Sequence, residues 1–282
     1  MILIDLKKSF LHALKGIYPR EEIESFFFML SEHYLHKRRL DIALQPEYRV
    51  ANETLALFQK ALSQLKAHYP IQYIIGKTDF MGLTFETNEN VLIPRPETEE
   101  LITWILSLHQ HKEALDILDI GTGSGCIPVA LAKNLKNANI DAIELSEKAL
   151  SVADKNARSN KVVIQLMQND ILQIEGLDKT YDLIISNPPY VRESEKAAMQ
   201  DNVLKHEPEM ALYVDDANPL IFYEHIGKLA FDALKSGGEL FFEINQYLGK
   251  PLITLLKSYG YTKVELKKDM YGADRMIRAV KN

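Results

Sequence analysis

The 282-residue chain is 46% hydrophobic and 26% charged, an ordinary globular composition with room for one large core and one smaller one. A net charge of −6 and a pI near 5.8 exclude affinity built on phosphate neutralisation, for which surfaces are basic. The single cysteine, Cys126, excludes an internal disulfide framework, and no apolar run approaches the ~20 residues that span a bilayer.

The first ten residues hold Asp5, Lys7 and Lys8 with no apolar stretch behind them, so no secretory or transit segment is expected and the chain reads as cytoplasmic. Residues 1–75 read as a small helical domain with a net charge of +2, against −8 for the remainder. Leu55, Phe58, Leu62 and Leu65 recur at helical spacing behind Asn52 as a candidate N-cap, with Pro70 beyond the end. Ile23, Phe26, Phe27, Phe28 and Leu30 are broad enough for a buried helix. The run His36, Lys37, Arg38, Arg39 reads as a solvated helix end.

Residues 76–95 read as a β-hairpin linker. Phe80, Leu83 and Phe85 flank Gly82, and Asn88, Glu89 and Asn90 supply a turn before Val91, Leu92 and Ile93. Pro94 and Pro96 stop that strand, and a helix follows with Leu101, Ile102, Ile105 and Leu108 inward.

Residues 96–282 alternate strand and helix, the pattern of an α/β domain with a mostly parallel sheet. Strands are expected at 117–120, 140–145, 162–166, 182–186 and 239–244, with helices at 127–135 and 146–157. Two consecutive strands, 263–267 and 276–280, flank Gly272, Ala273 and Asp274 and should form an antiparallel hairpin at the sheet edge.

Gly121, Thr122, Gly123, Ser124 and Gly125 lie between a strand and a helix, where glycines let backbone approach a ligand and aim a helix N-terminus at it. The third glycine of a dinucleotide fingerprint would fall at Cys126, so the nicotinamide version is broken. Glu144 closes the second strand, where a carboxylate can accept hydrogen bonds from both ribose hydroxyls. Asp170, closing the third strand, is expected near the nucleobase. Cys126 reads as a small packing residue. His33 and His36, and His109 and His111, lack a converging third ligand, so no metal site is expected and all four read as surface histidines.

Asn187, Pro188, Pro189 and Tyr190 follow directly on the fourth strand, at the carboxyl end where parallel sheets bind ligands. A planar NH2 conjugated to a carbonyl or ring is a poor nucleophile, and both its N–H groups must be held to aim the lone pair. The Asn187 side-chain oxygen can accept one, and the Pro188 carbonyl the other. Prolines bring no competing donor and fix φ. Tyr190 offers a flat face for the amide or ring. Catalysis of this kind is positioning plus electrostatics.

The glycine spacing resembles that of adenosylmethionine enzymes, and the N-P-P-Y string resembles that of amino methyltransferases, including those acting on adenine in nucleic acids. Gln72, Tyr73, Ile74, Ile75 and Gly76, then Phe80, then Val91 through Pro94, Arg95, Pro96, Glu97, Thr98 and Glu99, with Glu207, Pro208, Ala211 and Leu212 downstream, resemble the signature of the release-factor glutamine methyltransferases (the HemK/PrmC family). The resemblance runs through nearly the whole chain. It implies a class I methyltransferase domain with a Rossmann-like, mostly parallel seven-stranded sheet, joined through a hairpin to an N-terminal helical substrate-recognition bundle.

The implied activity is methyl transfer from S-adenosylmethionine to the glutamine N5 of the Gly-Gly-Gln motif in class I peptide chain release factors, by a monomer that contacts neither nucleic acid nor membrane. By position, residues 121–125, Glu144, Asp170, Ile171 and Asn187 would hold the cofactor. Asn187, Pro188, Pro189, Tyr190 and Arg95 would hold the substrate, with Asn187, Pro188 and Tyr190 nearest the chemistry. Ile171 departs from members that carry an aromatic residue there. Arg95 either orients the target or pairs with Glu97 or Glu99. Against a nucleic-acid amino methyltransferase stand the acidic charge and the signature around Arg95. An intact tetrapeptide speaks against a non-catalytic binding module, and Cys126 against a nicotinamide oxidoreductase.

Overall fold

A computed structural model describes residues 1–282, Ala198 through its backbone alone. The chain forms two compact units. The first comprises 1–76 together with 200–206, and the second comprises 77–199 and 207–282.

The first unit is helical, with helices Leu3–Leu14, Arg20–Leu35, Arg39–Leu44, Asn52–Lys66 and Ile71–Ile75, and Asp201–His206 from the later excursion. Leu3, Leu6, Phe10 and Leu14 form one buried stripe and meet Ile23, Phe26, Phe27 and Leu30. Phe27 stands at the centre, its ring 5.7 Å from both Phe10 and Phe58. On the fourth helix Phe58, Ala61 and Leu65 are buried, while Leu55 and Leu62 pack at the margin. Asn52 is the first helical residue, and Ala51 takes the cap position with no side-chain bond. The excursion is tied within this unit by His206 Nε2 to the Ala67 carbonyl at 2.8 Å and by His68 to Asp201 at 3.6 Å.

The second unit opens with an antiparallel pair, Lys77–Phe80 with Leu83–Glu86. Its reversal lies at Met81 and Gly82, not at Asn88–Asn90 as the sequence suggested. Both turn residues have positive φ, 51° and 72°, the two-residue geometry that matches strand twist. Val91 through Ile93 are not a strand, although Val91 and Ile93 are buried.

The main sheet has seven strands: β1 Asp116–Ile120, β2 Asn139–Glu144, β3 Gln165–Gln168, β4 Tyr181–Ser186, β5 Leu234–Glu243, β6 Thr262–Lys268 and β7 Asp274–Val280. Their order is β6-β7-β5-β4-β1-β2-β3, with β1 to β5 parallel and β7 antiparallel to both neighbours. The α/β class, the seven strands and the antiparallel edge hairpin agree with the sequence reading. β3 begins later than expected because pairing with β2 starts at Gln165, leaving Val163 exposed.

Helices cover both faces of the sheet. Pro96–His109 and Cys126–Asn134 bury Leu101, Ile102, Ile105, Val129 and Leu131 against Ile117, Leu183 and Phe241. Ile221–Ala233 and Gly249–Ser258 bury Tyr223, Ile226, Leu252 and Leu256 against Leu118, Ile184 and Phe242. Strands buried on both sides read as the continuous apolar runs seen in the sequence.

One expected surface residue is buried. His109 continues the inward face of Ile102 and Ile105, is 1% exposed, and sets Nε2 3.2 Å from Glu239. Arg278 grips the same carboxylate at 2.6 and 2.9 Å. Burial works against the charge, but these hydrogen bonds hold the Glu239 carboxyl down at about 2.

Candidate active site

Parallel pairing puts Ile120, Ile143, Ser186 and Phe242 side by side at the carboxyl ends of four adjacent strands. The next residue on each chain is Gly121, Glu144, Asn187 and Glu243. Beyond this edge lies a cavity of about 390 Å3, walled by the glycine loop, Glu144, Asp170, Ile171, Asn187 to Pro189, Arg95 and Thr98.

Gly121, Gly123 and Gly125 have φ of 77°, 54° and 77°, a left-handed conformation that other residues resist. At Gly125 a Cβ would also lie 3.0 Å from the Ala153 methyl, so the loop seats tightly on the helix Glu147–Ser159. The Gly121 and Thr122 amides donate to the Ile143 carbonyl at 2.9 and 3.1 Å. The Gly123 amide donates to one Glu144 oxygen and the Ser146 amide to the other, each at 2.9 Å. Each oxygen keeps a lone pair for a further donor, as two adjacent ribose hydroxyls require. Asp170 caps the turn Ile171–Gln173 through the Leu172 amide at 3.0 Å and also lines the cavity, so capping and ligand roles coincide.

Two residues of this half escaped the sequence reading. Buried Asn156 donates to the Ser124 and Glu86 carbonyls at 2.9 and 3.0 Å, fastening the glycine loop to the hairpin. Asp119, two residues before Gly121, is fully buried with both carboxylate oxygens unpartnered. Burial pushes its carboxyl up to about 7; the nearby Thr122 hydroxyl lowers it but completes no hydrogen bond. Cys126 is buried too, its thiol pushed up to about 12 by burial, which suits packing rather than nucleophilic work.

The opposite wall is assembled from distant segments. Asn187 Nδ2 reaches the Thr98 hydroxyl at 3.3 Å, and that hydroxyl donates to Glu243 at 2.6 Å. The second Glu243 oxygen accepts the Tyr190 hydroxyl at 3.0 Å. Tyr190 packs into the core beside β5, and its ring is not part of the cavity wall. The Tyr190 carbonyl is held by Asn245 Nδ2 at 3.0 Å. Arg95 pairs with neither Glu97 nor Glu99. Its guanidinium meets Glu207 at 2.6 Å, and the same carboxylate accepts the Ile93 amide at 3.3 Å. Burial raises the Glu207 carboxyl, and Arg95 opposes the shift. Among the described residues no cluster of His, Cys, Asp and Glu could hold a metal ion.

A model of the "PrmC N-terminal domain" matches residues 6–76, and one of the "Methyltransferase small domain" matches residues 101–211. A "Release factor glutamine methyltransferase" of Flavobacterium psychrophilum is 48% identical over 281 residues, covering 99% of each chain. The chain belongs to the release factor glutamine methyltransferase family. A relative of the same name from Bacteroides thetaiotaomicron is 40% identical over 95% of this chain and 96% of its own, and one from Streptococcus pneumoniae is 38% identical over 91% of each.

Solved structures share the fold at much lower identity. A methyltransferase from Pyrococcus furiosus superposes with a TM-score of 0.54 at 20% identity, over 82% of this chain and 98% of its own. The 16S rRNA N2 G1207 methyltransferase of Thermus thermophilus, solved with AdoMet and guanosine, gives 0.55 at 18%, over 73% and 50%.

For this family member the cavity fits S-adenosylmethionine on its own chemistry. Glu144 presents a diol acceptor and the glycine loop permits close approach, while the orphaned Asp119 carboxyl, off the cavity wall and two residues before that loop, leaves a buried negative potential that a positively charged ligand would meet. Sequence signals existed for two of the overlooked residues. Asp119 precedes the glycine loop, and Glu243 is an acid closing a buried strand at the ligand-binding edge. Thr98 lay within the signature around Arg95 but without a role, and Asn156 carried no signal.

Proposed function

We propose that this chain transfers a methyl group from S-adenosylmethionine to the side-chain nitrogen of the glutamine in the Gly-Gly-Gln motif of class I release factors. The observation that carries the reading is the shared cavity. Asn187 and Pro188 face the same space as the glycine loop and Glu144, so an amide acceptor and a nucleoside site adjoin. The full-length likeness to curated relatives names the substrate class.

When bound, S-adenosylmethionine supplies an electrophilic methyl carbon on a sulfonium sulfur. The residues present do the rest. Glu144 and the loop 121–125 hold the nucleoside, with Asp170 and Ile171 against its base, and Asp119 compensates positive charge. Asn187 Oδ1 and the Pro188 carbonyl accept the two N–H groups of the target amide, which aligns its lone pair with the methyl carbon. The nitrogen gains the methyl as the carbon–sulfur bond breaks and its electron pair stays on sulfur, leaving a neutral thioether, and the nitrogen sheds one proton to solvent, so no strong base is required. Tyr190 anchors the tetrapeptide through Glu243. Arg95, fixed by Glu207, borders the entrance for the peptide.

Residues 1–75 serve as the docking element for the release factor, residues 76–95 as linker and 96–282 as the catalytic domain, acting as a monomer in the cytoplasm without direct nucleic-acid contact. No helix of the described residues is long and apolar enough to cross a membrane. The test is labelled methyl transfer to purified release factor, beside the same factor with its motif glutamine changed to alanine. Labelling of the first and not the second is expected; equal labelling of both overturns the assignment.

A further inference from the structure

An asparagine can hold a substrate NH2 only if its oxygen, not its own NH2, faces the substrate. The two orientations have nearly the same shape, so neighbouring groups must choose between them. Among the described residues Asn187 makes one side-chain hydrogen bond, from Nδ2 to the Thr98 hydroxyl at 3.3 Å. That hydroxyl has a single proton and gives it to Glu243 at 2.6 Å. Glu243 is buried on β5, and its other oxygen accepts the Tyr190 hydroxyl at 3.0 Å.

We propose that Thr98 and Glu243 are positioning residues that set the direction of the Asn187 amide, and thereby select an NH2-bearing substrate. The deduction runs along the bonds. A carboxylate only accepts, so the Thr98 proton points to Glu243. The Thr98 oxygen is left to accept, so it takes Nδ2 of Asn187, and Oδ1 turns away from Thr98. The reverse orientation would need the Thr98 proton for Oδ1 and would strip a buried carboxylate oxygen of its donor. Tyr190 cannot relieve that loss, since its hydroxyl already serves the second oxygen.

Burial raises the Glu243 carboxyl, and the Thr98 and Tyr190 hydrogen bonds together with Arg275, anchored at 3.2 Å on Asp269, oppose the shift. The proposal rests on the amide-methylation reading and adds how its acceptor is oriented.

The test uses the full chain with release factor as substrate, comparing Thr98→Val, Thr98→Ser and Glu243→Gln with wild type. Valine keeps the shape and removes the hydroxyl. Its kcat should fall on the order of 10²-fold, the scale of a lost transition-state hydrogen bond, with cofactor Kd little changed, while its melting temperature drops because a buried Glu243 oxygen loses its donor. Serine restores the hydroxyl and should recover most of the rate, which a packing role for the threonine methyl would not allow. Glu243→Gln can donate as well as accept, so it scrambles the direction and should lower kcat more than it raises KM.

An independent readout is the Asn187 side-chain NH2 pair in 15N-resolved spectra, assigned by its loss in Asn187→Asp. It should shift in Thr98→Val and return in Thr98→Ser. Wild-type kcat in Thr98→Val, or an unmoved NH2 pair, overturns the relay. If wild type fails to methylate release factor, the functional reading falls instead, and the spectra decide the relay alone.

Discussion

The two walls of the cavity are built by opposite strategies. The cofactor wall is mostly backbone. From Gly121 to Glu144 and on to Asp170, most of its bonds have shorter spans: Gly123 to Glu144 crosses 21 residues, and Ser146 to Glu144 and Leu172 to Asp170 two each, with Asn156 to Glu86, at 70, the exception. The substrate wall is mostly side chain, and its bonds span the domain. Asn187 to Thr98 crosses 89 residues, Thr98 to Glu243 crosses 145, and Arg95 to Glu207 crosses 112. A backbone wall presents the same groups whatever residues surround it, which suits a ligand common to many enzymes. A side-chain wall can be retuned at single positions, which suits substrate choice. Damage to the two walls should therefore separate, with one changing cofactor affinity and the other turnover.

The largest effect is expected on the substrate wall. Asn187→Ala removes the one side-chain acceptor for the target NH2 while Pro188 and Pro189 keep the loop in place. The kcat toward release factor should drop on the order of 10²–10³-fold, with cofactor affinity close to wild type. Asn187→Asp keeps an acceptor but brings a negative charge near the sulfonium. Steady-state kinetics beside calorimetry distinguish the two. Near wild-type turnover in the alanine variant would remove Asn187 from the reaction.

On the cofactor wall the expected loss is smaller and of another kind. Glu144→Ala deletes the diol acceptor and releases the Gly123 and Ser146 amides from it. S-adenosylmethionine should bind more weakly by about 1.5–3 kcal/mol, the range of hydrogen bonds to a charged group. At saturating cofactor kcat should stay near wild type. A Glu144→Ala enzyme with normal affinity and low kcat would invert the contrast between the walls.

The same contrast explains what could be read in advance. Gly121 through Gly125 and Glu144 were legible because strand, loop, helix, strand and acid follow in order, and local order survives in a sequence. The N-P-P-Y string announced itself by rarity. Its supports did not, because nothing in sequence ties Thr98, on the first turn of one helix, to Glu243 at the end of β5. His109 was misplaced for a different reason. Its spacing to His111 says nothing about burial, whereas its phase with Ile102 and Ile105 puts it on the inward face. Polarity points to Asn88–Asn90 for the hairpin reversal, but Gly82 between Phe80 and Leu83 is the stronger turn signal.

Asp119 carries the smallest expected effect, and it tests whether the backbone wall also holds a side-chain charge sensor. Burial raises the Asp119 carboxyl from an ordinary 3.8 to about 7. A raised carboxyl is a cost of folding above the unfolded value. Below pH 4 both states are protonated and there is no penalty. Between pH 4 and 7 the unfolded chain ionises first, so the ligand-free protein loses stability as pH rises, and above 7 the loss levels off. Asp119→Asn cannot ionise. It should stabilise the ligand-free protein at pH 8 by about 1–2 kcal/mol, part of the cost of an unmet buried charge, and change little at pH 4. The same variant should bind S-adenosylmethionine more weakly at pH 8, because the cofactor's positive charge no longer finds a carboxylate. Thermal melts at the two pH values, with and without cofactor, give all four quantities. A variant that is stabilised equally at both pH values and binds cofactor normally would show that Asp119 is a packing residue, and that the cofactor wall works through backbone and Glu144 alone.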